Sequence, residues 1–118
     1  KSFYYNTEYK AQLLCGDCFS EDILRLIRVL SGTKMIYCDG GAKAKELIAY
    51  SKLCEPGDYI LSHDYSDGTR TGMGLPEKIN AEVLPNDIEF LENDKHFMNM
   101  GINPLVFQAT RIVGYLRL

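Results

Sequence analysis

Three short, mostly apolar runs, each closed by polar or glycine residues, constrain this chain more than any other feature. Ala11-Gln12-Leu13-Leu14-Cys15 ends in Gly16-Asp17, and Met35-Ile36-Tyr37-Cys38 ends in Asp39-Gly40-Gly41. Tyr59-Ile60-Leu61-Ser62 follows the turn-forming Glu55-Pro56-Gly57-Asp58 and ends in His63-Asp64-Tyr65. Runs of this length bounded by turn chemistry read as buried strands. Between the first two, Ser20 is a suitable N-cap, with Glu21 and Asp22 in the first turn. Ile23, Leu26, Ile27 and Leu30 follow at helical spacing until Ser31-Gly32 stops the helix, with Arg25 and Arg28 on its wet side. Between the second and third, Ala44, Leu47, Ile48 and Ser51 define a helix face from which Lys43, Lys45 and Glu46 are excluded.

The remainder is less regular. Residues 1–10 are aromatic and polar without a clear period. Residues 66–75 form a glycine-rich loop, and Pro76 suits the first turn of a helix reaching Leu84. Ile88 to Leu91 reads as an edge strand. Leu105 to Ile112 reads as the last strand, with Gly114 interrupting before Tyr115-Leu116-Arg117-Leu118. Alternating strands and helices imply an α/β domain with a mostly parallel sheet. In such sheets ligands bind beyond the carboxyl ends of the strands. That rule selects Asp17, Asp39 with its glycines, and His63-Asp64, and predicts all of them on one rim.

At 118 residues the chain is expected to form one domain. A formal net charge of −3 and the lack of a Lys/Arg cluster argue against nucleic acid as a partner. The apolar runs are far too short to span a membrane, no signal-peptide pattern is present, and the cytoplasm is the expected location. Position 1 is Lys rather than Met, which suggests a processed or trimmed chain start.

Four cysteines are present: Cys15 and Cys18 form a C-x-x-C, while Cys38 and Cys54 stand in apolar surroundings. Zinc would want a second close pair or nearby histidines. A thioredoxin-like motif fits the spacing better and would make Cys15 the nucleophile and Cys18 the resolving thiol. Against that reading, Ser20 is the better helix cap, so both cysteines fall in the strand and its exit turn.

Each rim group has a structural and a functional reading. Asp39-Gly40-Gly41 reads as a strand-to-helix turn whose glycines take positive φ. It reads equally as a place where a ligand approaches the backbone and a carboxylate binds a metal or an amine. His63-Asp64 can cap a turn locally. With Asp39 it also makes a nitrogen and oxygen donor set suited to Mg²⁺ or Mn²⁺.

The stretch from Tyr37 to Leu47 and the stretch from Glu55 to Tyr65 resemble the fourth and fifth strand regions of class I S-adenosylmethionine-dependent methyltransferases. The nearest look is to macrocin- and cephalosporin-type sugar and antibiotic O-methyltransferases. The resemblance covers roughly residues 12–112. It implies a three-layer, Rossmann-like sheet whose last strand is antiparallel. It also implies that the glycine-rich first strand and the second strand are missing, so that the chain resembles the C-terminal half of such a domain.

For the site, the resemblance assigns Asp39, His63 and Asp64 to a divalent metal that orients a small-molecule acceptor, with His63 and Asp64 as the catalytic pair. It assigns Asp17, Cys18, Asp39 and Gly40 to S-adenosylmethionine, with Asp17 near the adenine. His63 stands where the family usually has an acidic residue, and imidazole remains a competent ligand. The alternative is a non-catalytic Rossmann-like module that serves association. Either way, with the first strands lost, the strands at Leu13-Leu14-Cys15 and Met35–Cys38 either close up beside each other or leave the Met35–Cys38 edge open, and a homodimer is expected.

Overall fold

The computed structural model describes residues 3–6, 11–66, 81–100 and 111–118. Two strands, β1 (Phe3–Asn6) and β2 (Ala11–Leu14), pair antiparallel as a separate two-stranded sheet. The helix α1 (Glu21–Val29) follows, then β3 (Met35–Cys38), α2 (Lys43–Ser51) and β4 (Tyr59–Ser62). The helix α3 (Pro85–Glu92) and the strands β5 (Phe97–Asn99) and β6 (Val113–Arg117) come last.

The main sheet has four strands in the order β3-β4-β6-β5. β3 and β4 are parallel, joined through α2, and register Cys38 opposite Ser62. β6 runs antiparallel to both β4 and β5. The domain is therefore α/β; its last described strand, Val113–Arg117, is antiparallel, whereas of the strand expected at Leu105 to Ile112 only residues 111 and 112 are described, and neither is in a strand. The sheet is mixed rather than mostly parallel, because only one of its three pairings is parallel.

Along β3 and β4 the side chains alternate, and Ile36, Cys38, Ile60 and Ser62 are buried. α2 and α3 touch each other and add Leu47, Tyr50, Ile88 and Leu91 to the same core. Met35 and Tyr37 point the other way and are 70% and 47% exposed. α1 has no buried residue; Leu24 and Ile27 pack against the core, while Leu26, Val29 and Leu30 are exposed. The expected inner face of α1 is thus only half covered.

Several expectations are corrected. Asp17 does not share a sheet with Asp39 and Asp64, since among the described residues the strand before it pairs only within the hairpin. Ile88 to Leu91 is helical, because Pro85 opens a helix there. The Asp87 carboxylate accepts the Leu84 amide at 2.8 Å and closes its first turn. Ala81 to Leu84 is extended, with Val83 bridging to Tyr65, so no helix reaches Leu84. The rest of that expected helix, the loop at 67–75 and the expected strand at 105–110 lie outside the described residues.

Gly114 does not interrupt the last strand but lies inside β6. A Cβ there would meet Met100 Sδ at 3.1 Å and Leu61 Cγ at 3.2 Å, so the glycine makes room for two neighbours. Gly40 and Gly41 are not among the residues of positive φ.

The buried face of α2 is also rotated from the expected one. Lys43, Glu46, Leu47, Tyr50 and Ser51 are buried, whereas Ile48 is 47% exposed. Two ionisable residues are inside because each has polar partners there. No helix among the described residues is long and apolar enough to cross a membrane.

Candidate functional site

Since β3 and β4 are parallel neighbours in register, Asp39 and His63 leave the sheet side by side on one rim. The amide of His63 donates to the Cys38 carbonyl at 3.3 Å, extending the ladder to the rim itself. Asp64 follows in the left-handed region, at φ 60°. An aspartate tolerates that conformation better than most residues. Its carbonyl accepts the amides of Glu82 and Val83 at 3.1 and 3.2 Å, which fixes the turn and brings Glu82 to the rim.

His63 Nδ1 lies 3.2 Å from Asp64 Oδ1 and 3.6 Å from Asp39 Oδ1. One donor atom from each of Asp39, His63 and Asp64 falls within 4.8 Å of the other two. Adjacent ligands on an octahedral ion with bonds near 2.1 Å stand about 3.0 Å apart. The two histidine distances lie near and somewhat above that edge length, and the two aspartates offer oxygens within 4.8 Å of each other, an arrangement that a six-coordinate divalent ion could draw together. An imidazole among the ligands favours Mn²⁺ over Mg²⁺.

A fourth residue enters from α2. Lys43 is buried, and its ammonium donates to Glu82 Oε2 at 2.7 Å and to the Gly40 carbonyl at 3.1 Å. The same nitrogen lies 3.2 Å from Asp64 Oδ2 and 3.6 Å from Asp39 Oδ1. The hydrogen bond to Glu82, reinforced by Asp64, raises the Lys43 pKa against the opposing effect of burial. The lysine is therefore a permanent cation.

Arg111, also at positive φ, places Nη1 3.9 Å from Asp64 Oδ1. Tyr37 stands close enough for the charges of Asp39 and Asp64 to raise its phenol pKa, after partial burial as the larger cause. Lys43, Glu82, Arg111 and Tyr37 were not foreseen as site residues. The one available signal was that Asp39 and Lys43 are four residues apart across a helix start, a spacing that brings opposite charges together.

The residues expected to hold S-adenosylmethionine are engaged locally. Asp17 Oδ1 accepts the amide of Phe19 at 2.9 Å. The Cys18 carbonyl accepts the Tyr50 hydroxyl at 2.8 Å, and Phe19 stacks on the Tyr50 ring. A Cβ at Gly40 would collide with the Glu46 carboxylate, so a neighbouring side chain already accounts for that glycine. Asp17, the Cys18 carbonyl and Gly40 thus each already have a neighbour within the chain. Cys15 is exposed in the turn before Ser20, the N-cap of α1, so the C-x-x-C does not open the helix. No family model, no curated protein and no solved structure matches this chain.

Proposed function

We propose that the β3–β4 rim holds a divalent cation, Mn²⁺ or Mg²⁺, through Asp39, His63 and Asp64 and uses it to orient a hydroxyl-bearing small molecule. The observation that carries this reading is the convergence of the three donor atoms within 4.8 Å at the ends of adjacent parallel strands. Bound there, the ion would supply Lewis acidity and orientation to an acceptor oxygen. The chain's own residues contribute the rest. Asp39 and Asp64 supply negative charge, His63 supplies a neutral donor, and Lys43 with Glu82 holds the two aspartates at a fixed separation.

Within this reading the reaction class is methyl transfer to oxygen, in the manner of the class I methyltransferases that the sequence resembles. The antiparallel last strand supports that assignment, and the methyl donor enters through the resemblance alone. Titration calorimetry with Mn²⁺ on the wild-type chain and on Asp39→Asn and Asp64→Asn is the direct test. Saturable binding in the wild type and its loss in both variants is expected. Equal heats from all three proteins would remove the assignment. Binding of labelled S-adenosylmethionine, measured separately, tests the reaction class.

A second reading, a non-catalytic association module, is favoured by the outer position of β3 and the exposure of Met35 and Tyr37. A second copy of this chain is its natural occupant.

A further inference from the structure

The ammonium of Lys43 occupies ground that a metal would also need. Asp39 Oδ1 lies 3.6 Å from both Lys43 Nζ and His63 Nδ1, so this one oxygen is contested. Asp64 divides its two oxygens, Oδ2 toward Lys43 at 3.2 Å and Oδ1 toward His63 at 3.2 Å. Glu82 and the Gly40 carbonyl each take one N–H of the lysine, which leaves its third for the aspartates.

We propose that Lys43 is the resident cation of the rim, holding Asp39 and Asp64 together until a divalent ion takes its place between them. The lysine then keeps Glu82 and the Gly40 carbonyl and gives up only its third N–H. Charge arithmetic supports the exchange. Asp39, Asp64 and Glu82 bring −3, while Lys43 and Arg111 bring +2, so the cluster carries −1 with His63 neutral. A divalent ion turns this to +1. The occupied site then selects an acceptor that presents a single negative charge beside the ion, such as an ionised hydroxyl or a carboxylate flanking the hydroxyl. Glu82 has the opposite role to Lys43, because it draws the ammonium away from the aspartates.

This inference rests on the reading of the rim as a divalent-cation site. Its test is Mn²⁺ binding followed by the paramagnetic resonance signal of the free aquo ion, which needs no activity. Wild type, Lys43→Met, Lys43→Arg and Glu82→Gln are compared, with far-UV circular dichroism verifying the fold. Removing a unit charge a few ångströms from the ion tightens binding about tenfold or more in Lys43→Met. Lys43→Arg keeps the charge and binds no tighter than wild type, and Glu82→Gln binds more weakly. If Lys43→Met does not fold, Lys43→Gln carries the same expectation.

Binding to Lys43→Met alone, with none to wild type, overturns the exchange, because the ion then never displaces Lys43 in the native chain. Equal affinity in wild type and Lys43→Met, abolished by Asp64→Asn, overturns the role of Lys43 and leaves the metal site standing. No Mn²⁺ bound by either protein overturns both.

Discussion

Glu46 stands where the side chain of residue 40 would have to go. Its carboxylate accepts the Gly40 amide at 3.2 Å and the Ala42 amide at 3.3 Å, and it fills the space that a Cβ at Gly40 would enter. A glutamate inside α2 thus ties down the loop that carries Asp39. Gly40→Ala is expected to expel that carboxylate, strand two amides and destabilise the protein by about 1–3 kcal/mol. Glu46→Ala strands the same amides, but it also clears the space. The double variant should therefore cost less than the sum of the two singles, a coupling that a thermodynamic cycle measures directly. Additive costs would mean that the two residues act separately.

Asp58 anchors the turn before β4. It is 2% exposed, accepts the amides of Glu55 and Lys34 at 2.8 Å each, and pairs with Lys34 Nζ at 2.9 Å. Burial works to raise its pKa, but the two amides and the lysine outweigh it and hold the carboxyl below its ordinary value. The sign follows from linkage. Stability from Asp58 is present above the ordinary carboxyl value of about 4 and is lost as pH falls through the lower folded value. Asp58→Ala should cost at least about 2 kcal/mol at pH 7, and less in acid, where the wild type progressively loses the same contribution. Denaturant melts at pH 7 and pH 3 give both numbers, and a pH-independent difference would contradict the account.

The cysteines should divide by burial. Cys38 and Cys54 are buried, and burial is the leading cause that pushes their thiols up to about 12 and about 11. Thiols so far from the thiolate form are inert at neutral pH. Native iodoacetamide labelling read by mass spectrometry should mark the exposed Cys15 first. Cys38 and Cys54 should label only after denaturation. Their early labelling in the native protein would show that the sheet opens beside α2.

The outer strand makes a prediction about assembly. Met35 and Tyr37 on β3 are exposed, as are Leu26, Val29 and Leu30 in and just after α1. An unpaired strand edge is a template for another strand. Light scattering at micromolar concentration is expected to report a dimer for the wild type. Met35→Lys with Tyr37→Lys should shift it to a monomer, and a wild-type monomer would refute self-association through this edge.

Much of the sheet was legible in the sequence, for a reason that particular residues make plain. Met35–Cys38 and Tyr59–Ser62 are short apolar runs between strong turn formers, and both strands have the expected bounds. Ile88 to Leu91 is just as apolar and just as short, yet it is helical, because the deciding signal lay upstream in Pro85 and Asp87. The rim was legible at Asp39, His63 and Asp64 because polar residues directly after core strands stand out. Lys43 and Glu46 fall outside the α2 face that the spacing of Ala44, Leu47, Ile48 and Ser51 defines. Their burial depends on Glu82 and on the Gly40 and Ala42 amides, partners that only the folded chain supplies. Asp17 failed for a related reason, since a single strand's pattern does not say which sheet it joins.

The position of β6 bears on how the fold is reached. The strand latest in the sequence is inserted between β4 and β5, so neither has its full set of ladder partners until residues 113–117 arrive. On a ribosome, β3, α2 and β4 can assemble as soon as they emerge, whereas β5 must wait unpaired beside nothing. Pairing β6 with β4 closes a loop of some fifty residues, the kind of long-range contact that slows folding. The half-formed sheet therefore leaves one flank of β4 without its ladder partner until β6 is made.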